Sequence, residues 1–148
     1  MLSLTRKTDY ALLALTRLAG QPGEIVSARE IAERVGVSLP LLMNVLKQLA
    51  SAGLVSSVRG AHGGYSLARP AEEITLAELI DATEGPMRLA PCVATHRNSS
   101  VAVGCDSEAH CPMYAPFMWL HEKMRGFLEG ISLAELVAAG ANRAVKEL

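Results

Sequence analysis

Apolar and polar positions recur at helical spacing through the first fifty residues or so. Tyr10, Ala11, Ala14, Leu15 and Leu18 fall on one stripe, which predicts an amphipathic helix over 5–20, stopped by Gly20 and Pro22. Ser27 then opens SAREIAERVG, and Glu30 three positions later completes a capping box, in which each residue's side chain serves the other's backbone N–H. Ile31, Ala32 and Val35 face inward along this short helix, and Gly36 ends it. After a single turn Ser38 caps SLPLLMNVLKQLASAG, with Pro40 tolerated in the first turn. Leu42, Val45, Leu46 and Leu49 make its inner face, and Gly53 is its stop. Two helices joined by a tight glycine-containing turn predict a helix-turn-helix.

The period then changes. LVSSV and YSLA are short strand-like runs separated by RGAHGG, which predicts a β-hairpin with a glycine-rich tip. A hairpin directly after the second helix of a helix-turn-helix is a wing, so residues 1–70 read as a winged helix-turn-helix DNA-binding region. Beyond Pro70, ITLAELIDATEG and ISLAELVAAG are near-copies; Thr75 with Glu78, and Ser132 with Glu135, give each a capping box, which explains the repeat without a repeated function. From Pro112, PMYAPFMWLHEKMRGFLEG predicts a long helix with Met113, Phe117, Leu120, Met124, Phe127 and Leu128 on one stripe. Such a stripe in a small protein suits pairing with the same helix of a second subunit, more than packing on the chain's own core. The expected fold is mainly α with a small β-hairpin wing: a winged helix-turn-helix over 1–70, then an irregular loop and a long C-terminal dimerisation helix over 71–148.

Charge sharpens this division. The net charge of −1 hides a head at +4 over residues 1–70 (8 Lys/Arg, 4 Asp/Glu) and a second region at −5 over 71–148 (6 against 11). The basic half coincides with the region expected to meet phosphates, making double-stranded DNA the expected partner. No apolar run is long enough to cross a bilayer, and the N-terminal run is broken by Arg17 and lacks a cleavage site, so a cytoplasmic protein is expected. Six aromatic residues in the whole chain argue against single-strand binding by base stacking. With no phosphate-binding loop, nucleophile motif or paired catalytic carboxylates, neither an enzyme nor a small-molecule substrate is expected.

The candidate DNA contacts follow from the helix face opposite the buried stripe. Leu39, Met43, Asn44, Lys47 and the flank of Ser51 lie there, and Ser38 at the helix start is a further candidate. Asn44 suits adenine, Lys47 guanine or a phosphate, and Met43 a thymine methyl. Arg6 and Lys7, at the start of the first helix, are candidate phosphate contacts. On the wing, Arg59 at the bend, with His62 and Gly63 beside it, suits a narrow, electronegative minor groove.

Residues 86–111 lack periodicity and hold all three cysteines, Cys92, Cys105 and Cys111. No CxxC pair is present, as zinc sites usually show. Thiolates on an irregular loop, one of them at a helix start, suit an iron–sulfur cluster; buried structural cysteines, a thiol switch or a zinc site are the alternatives. A cluster needs a fourth ligand, and His96, Asp106, Glu108, His110 and His121 lie near in sequence, while Asp9 on the first helix could come from a partner subunit.

Almost the whole chain resembles the Rrf-type family of bacterial transcription regulators. The resemblance rests on LTRKTDYALLAL, SAREIAERVGVSLPLLMNVLKQLASAGLVSSVRGAHGGYSLARP, ITLAELIDATEG and three cysteines ahead of a long helix. Its specific part is the helix-turn-helix followed by an RGxxGGYxLARP wing. It implies a homodimeric regulator, repressing in the expected case, whose three cysteines hold an iron–sulfur cluster of 2Fe–2S or 4Fe–4S type. On this chain those ligands would be Cys92, Cys105 and Cys111. Two departures stand out. The gap from Cys92 to Cys105 is longer than the family's usual one, and the histidine that one branch carries three residues after the third cysteine is Tyr114 here. The nitric-oxide-sensing branch has an aspartate in the first helix, so the resemblance implies Asp9 as fourth ligand, donated by the partner. KTDYA and DATEGPMRLAPC resemble the branch that regulates cluster assembly. The resemblance leaves the expected signal open among iron–sulfur status, redox state and nitric oxide, and the rival is a cluster-free regulator controlled by thiol oxidation, zinc or a protein partner.

Overall fold

The computed structural model describes residues 4–90 and 111–146. In chain order it contains α1 (Arg6–Ala19), α2 (Ala28–Val35), α3 (Leu39–Ser51), β1 (Val55–Val58), β2 (Gly64–Leu67), a 3₁₀ turn (Ala71–Glu73), α4 (Leu76–Glu84), α5 (Tyr114–Glu129) and α6 (Leu133–Lys146). The three predicted N-terminal helices and the hairpin are present within a residue or two of their expected bounds. The long helix starts at Tyr114 rather than Pro112, because Pro112 and Met113 are spent in a turn that ends with the Tyr114 N–H on the Cys111 carbonyl at 3.2 Å.

One hydrophobic core forms around α1. Ala11, Ala14, Leu15 and Leu18 meet Ile31 and Ala32 of α2, and Leu42, Val45, Leu46 and Leu49 of α3, all at or below 5% exposure. The core continues past residue 70: Ile74, Leu79 and Ile80 of the α4 segment and Leu133 of α6 belong to the same cluster, so the winged head and the second region share an interior. Full burial of a leucine removes roughly 1.5–3 kcal/mol worth of apolar surface from water, and this cluster is what sets the angles between α1, α3 and α4.

The end-of-helix chemistry matches the sequence in two places and departs from it in two. Thr75 and Glu78 form a complete capping box at α4, the Thr75 N–H bonding the Glu78 carboxylate at 2.9 Å and the Glu78 N–H bonding the Thr75 hydroxyl at 3.2 Å. Ser132 and Glu135 repeat that geometry at α6. At α2 only half of the expected box exists. The Ser27 hydroxyl accepts from the Glu30 N–H, but the Glu30 carboxylate is taken by Arg17 of α1 at 2.8 Å. Ser38 stands at the α3 N-cap without a side-chain cap bond.

The two near-copies also find each other. The Leu76 N–H bonds the Ile131 carbonyl at 2.9 Å and the Leu133 N–H bonds the Ile74 carbonyl at 2.8 Å, so Thr75 and Ser132 form an antiparallel bridge. The starts of α4 and α6 are thereby laced together. The repeat has a structural use that capping alone did not reveal.

Candidate nucleic-acid interface

The α3 helix is oriented by its inner face. Leu42, Leu46 and Leu49 are fully buried and Val45 is 3% exposed, which turns Met43, Asn44 and Lys47 to solvent on the opposite side. Leu39 is half-buried against the core, so less of it is open than its position on the outer face implied. Sequence reasoning passed over two exposed residues here, Leu41 at 52% and Gln48. Both lie next to residues already assigned a face, and their own exposure is decided by how far the flanking helices wrap around α3. Lys47, Gln48 and Ser51 with Ala52 and Ala82 line a shallow open groove of about 390 Å³ between α3 and α4.

The wing pairs Val55 with Leu67, Ser56 with Ser66, Ser57 with Tyr65 and Val58 with Gly64, leaving residues 59–63 as its tip. Arg59 and His62 are exposed there. Three glycines shape the hairpin for different reasons. Gly60 has φ +124°, a conformation that side chains disfavour. A Cβ on Gly63 would lie 2.4 Å from the Val58 carbonyl oxygen, so the tip could not close. A Cβ on Gly64 would lie 2.3 Å from the Val26 oxygen, because Val26 runs beside the wing and exchanges two backbone bonds with Tyr65 (2.9 and 2.8 Å). This third short partner, Val26, carried no signal in its own neighbourhood.

Ion pairs divide the basic residues of the head. Arg17 is neutralised by Glu30, and Arg69 by Glu78 at 2.8 Å. Burial would raise the Glu78 pKa, but the Thr75 N–H and the Arg69 guanidinium outweigh it and hold the carboxyl below its ordinary value. Among the described residues no ion pair engages Arg6, Lys7, Arg29, Arg34, Lys47 or Arg59. The cations outside these ion pairs lie along the helix-turn-helix, at the wing tip and at the start of α1, where Lys7 also feels the Glu84 carboxylate. Unpaired cations on a protruding hairpin and helix are the arrangement that phosphate contact requires.

The cysteine region is represented by its end. Cys111 is a half-buried free thiol three residues before α5, while Cys92 and Cys105 lie outside the described residues, as do His96, Asp106, Glu108 and His110. Asp9 is exposed in the first turn of α1, with no ion pair among the described residues, and Leu13 one turn on is 48% exposed. His121 of α5 is buried at 6% with its Nδ1 unpartnered.

Comparison with known proteins decides the family. The Rrf2 family, described as an iron-dependent transcriptional regulator, matches residues 4–139. This chain is a member of the Rrf2 family. It is 38% identical over 136 residues to the HTH-type transcriptional regulator IscR of Photorhabdus laumondii, covering 90% of this chain and 78% of that one. An rrf2-like regulator of Rhodobacter capsulatus is 32% identical over 98% of both chains. Among solved structures, CymR, the global cysteine regulator of B. subtilis, superposes with a TM-score of 0.68 at 26% identity, covering 94% of this chain and 98% of its own. T. potens IscR superposes with a TM-score of 0.66 at 29% identity, over 94% and 88%. The Rrf2 fold seen in these relatives is the winged helix found here, and the protein is a DNA-binding transcriptional regulator rather than an enzyme. No helix among the described residues is long and apolar enough to cross a membrane.

Proposed function

We propose that this Rrf2-family member is a cytoplasmic, homodimeric repressor whose operator binding is set by an iron–sulfur cluster on Cys92, Cys105 and Cys111, with Asp9 of the partner as fourth ligand. The observation that carries the reading is the placement of Cys111, a free thiol at the foot of a long helix whose apolar face is in large part exposed among the described residues. Met113, Trp119, Leu120 and Phe127 of that segment are 41–70% exposed, which a second copy of the helix would bury. The donor set fits the group: three thiols supply the soft ligands, and an unpaired carboxylate beside exposed Leu13 supplies the fourth from an interface. A bound cluster would supply sensitivity to oxidants and to competing ligands. The protein's own part is to hold the thiolates at the base of α5 and to place two winged heads, about one helical turn apart, over half-sites.

On DNA, Asn44, Lys47 and Met43 of α3 would read the major groove, with Ser38 and the open part of Leu39 at its edge. Arg59, His62 and the close-packed Gly63 would place the wing in the minor groove, and Arg6 and Lys7 would meet phosphates. Anaerobic purification should yield a coloured protein with visible absorption and matching iron and sulfide counts. Colourless protein that holds zinc or no metal after anaerobic iron–sulfide reconstitution would overturn the cluster.

A second reading has its own support. The structural likeness to CymR, a global cysteine regulator, favours control of the same fold by thiol chemistry, with zinc or a partner protein as the other cluster-free routes. In that case operator affinity would respond to peroxide or to zinc in metal-free protein, and would be indifferent to iron and sulfide.

A further inference from the structure

The first turn of α1 is held by a helix far away in sequence. Thr5, its N-cap, makes no side-chain cap bond to its own helix. Instead the Thr5 hydroxyl and the Thr5 N–H, the latter at 3.1 Å, both donate to one carboxylate oxygen of Glu84, the last residue of α4. The Thr8 hydroxyl donates to the same oxygen. Behind it the Thr8 and Thr83 hydroxyls meet at 2.8 Å, in an interior where the two residues are 1% and 3% exposed.

Proton counting gives this cluster a direction. Each hydroxyl carries one proton. Thr8 spends its proton on Glu84, so it must accept in its contact with Thr83. Thr83 then donates to Thr8 instead of to the Leu79 carbonyl 2.9 Å away. The carboxylate orders a relay that runs from Thr83 through Thr8 to Glu84. Among the described residues no other side-chain hydrogen bond reaches residues 4–8, so this relay is what keeps the turn from fraying. Glu84 lies close enough to Lys7 for the two charges to interact, which works against phosphate attraction. Its place is explained by the donors it gathers and by the favourable field at a helix N-terminus.

We propose that Glu84 is a positioning residue for DNA binding: by gathering Thr5 and Thr8 it fixes the first turn of α1, and with it Arg6 and Lys7, in the posture that meets phosphates. This rests on the reading of Arg6 and Lys7 as phosphate contacts. A turn held in place before DNA arrives spares the complex part of the ordering cost.

The test measures affinity against salt for a duplex selected from a random pool by the wild-type chain, with thermal melts confirming that each variant is folded. With every slope change counted per bound protomer, joint Arg6→Ala and Lys7→Ala substitution should lower the slope of log affinity against log salt by about two. Glu84→Ala should weaken binding about five- to tenfold and lower that slope by about one. Glu84→Gln keeps an oxygen acceptor and drops the charge, so it should keep the wild-type slope or steepen it by up to about one. Thr5→Ala should fall between wild type and Glu84→Ala. Wild-type affinity and slope in Glu84→Ala overturn the proposal. So does weaker binding at an unchanged slope, which assigns Glu84 to fold stability alone, and so does Glu84→Gln behaving like Glu84→Ala. An unchanged slope in the Arg6 and Lys7 variant removes the phosphate reading itself, and the proposal with it.

Discussion

Helices α3 and α5 carry comparable apolar stripes and end in different surroundings. In α3 the stripe is finished by the chain itself, with Leu42, Leu46 and Leu49 at zero exposure and Val45 at 3%. In α5 His121 is the buried residue, while Trp119 is 59% exposed and Phe127 70%. The two helices show that periodicity predicts an apolar face wanting cover without saying what covers it. The core around α1 claims α3 because the helix-turn-helix connection is only a few residues long, whereas α5 reaches the core through Leu128 and is tied to α4 by the Arg125–Asp81 ion pair at 2.8 Å. One helix is an internal strut. The other is a surface whose partner is a second molecule in the reading proposed above.

Charge at the exposed end of α5 should break this contrast most strongly. Phe127→Glu combined with Trp119→Glu should weaken self-association at least about a hundredfold, since buried aromatic anchors contribute roughly 2 kcal/mol or more each. Light scattering would show the mass halve while helical circular dichroism is retained; a wild-type chain already monomeric at micromolar concentration would remove the dimer. In α3, Leu46→Ala should instead destabilise the fold itself by about 2–5 kcal/mol, read as a lower urea midpoint, because its cavity opens in a closed core. An equal loss from Phe127→Ala would erase the distinction between the two helices. Arg59→Ala, which touches neither stripe, should cost about 1–3 kcal/mol of operator affinity at unchanged stability. Unaltered gel-shift titration would take the wing out of DNA recognition.

Smaller effects test how the second region is fastened to the first. Thr75→Ala removes a complete capping box and should cost about 1 kcal/mol in thermal or urea unfolding. Acid should act in the same place. Glu84 and Glu135 are held below the ordinary 4.5 by the hydrogen bonds of Thr5 and Thr8 and of Ser132 respectively; at Glu78 burial opposes the shift, but Thr75 and Arg69 prevail. Each group binds its proton less tightly folded than unfolded. Their stabilisation is therefore complete above 4.5 and is lost as pH falls through the lower folded values. Urea midpoints should decline on acidification, and Glu78→Gln should flatten the decline; a midpoint that rises on acidification contradicts the sign.

Much of the head was legible because its signals are local. The stripe of α3 was readable residue by residue, and so were the hairpin and the boxes at Thr75 and Ser132, each of which joins residues three apart. Legibility failed where a side chain had a choice of partners. Glu30 had the spacing of a box and went to Arg17, since packing α1 against α2 brought a guanidinium within reach. Thr8 carried no sequence signal of its own and proved to be a buried link to Thr83 and Glu84. The wing glycines read as places of close backbone approach, but that the segment beside Gly64 is Val26, nearly forty positions earlier, was not legible. The proposed cluster ligands rest on the spacing and surroundings of the cysteines and on resemblance, and of the three cysteines Cys111 alone falls within the described residues.

By itself the sequence determined the order of elements, the inner face of each N-terminal helix, the wing and the opposed charges of the two regions, because all of these follow from neighbours a few residues apart. Tertiary structure alone decided which cations stay unpaired among the described residues, that the two near-copies bond to each other, that α1 is capped by Glu84, and that Trp119 and Phe127 of α5 stay exposed. Those outcomes depend on distances between residues tens of positions apart, which a periodic pattern does not encode and which packing around one core sets.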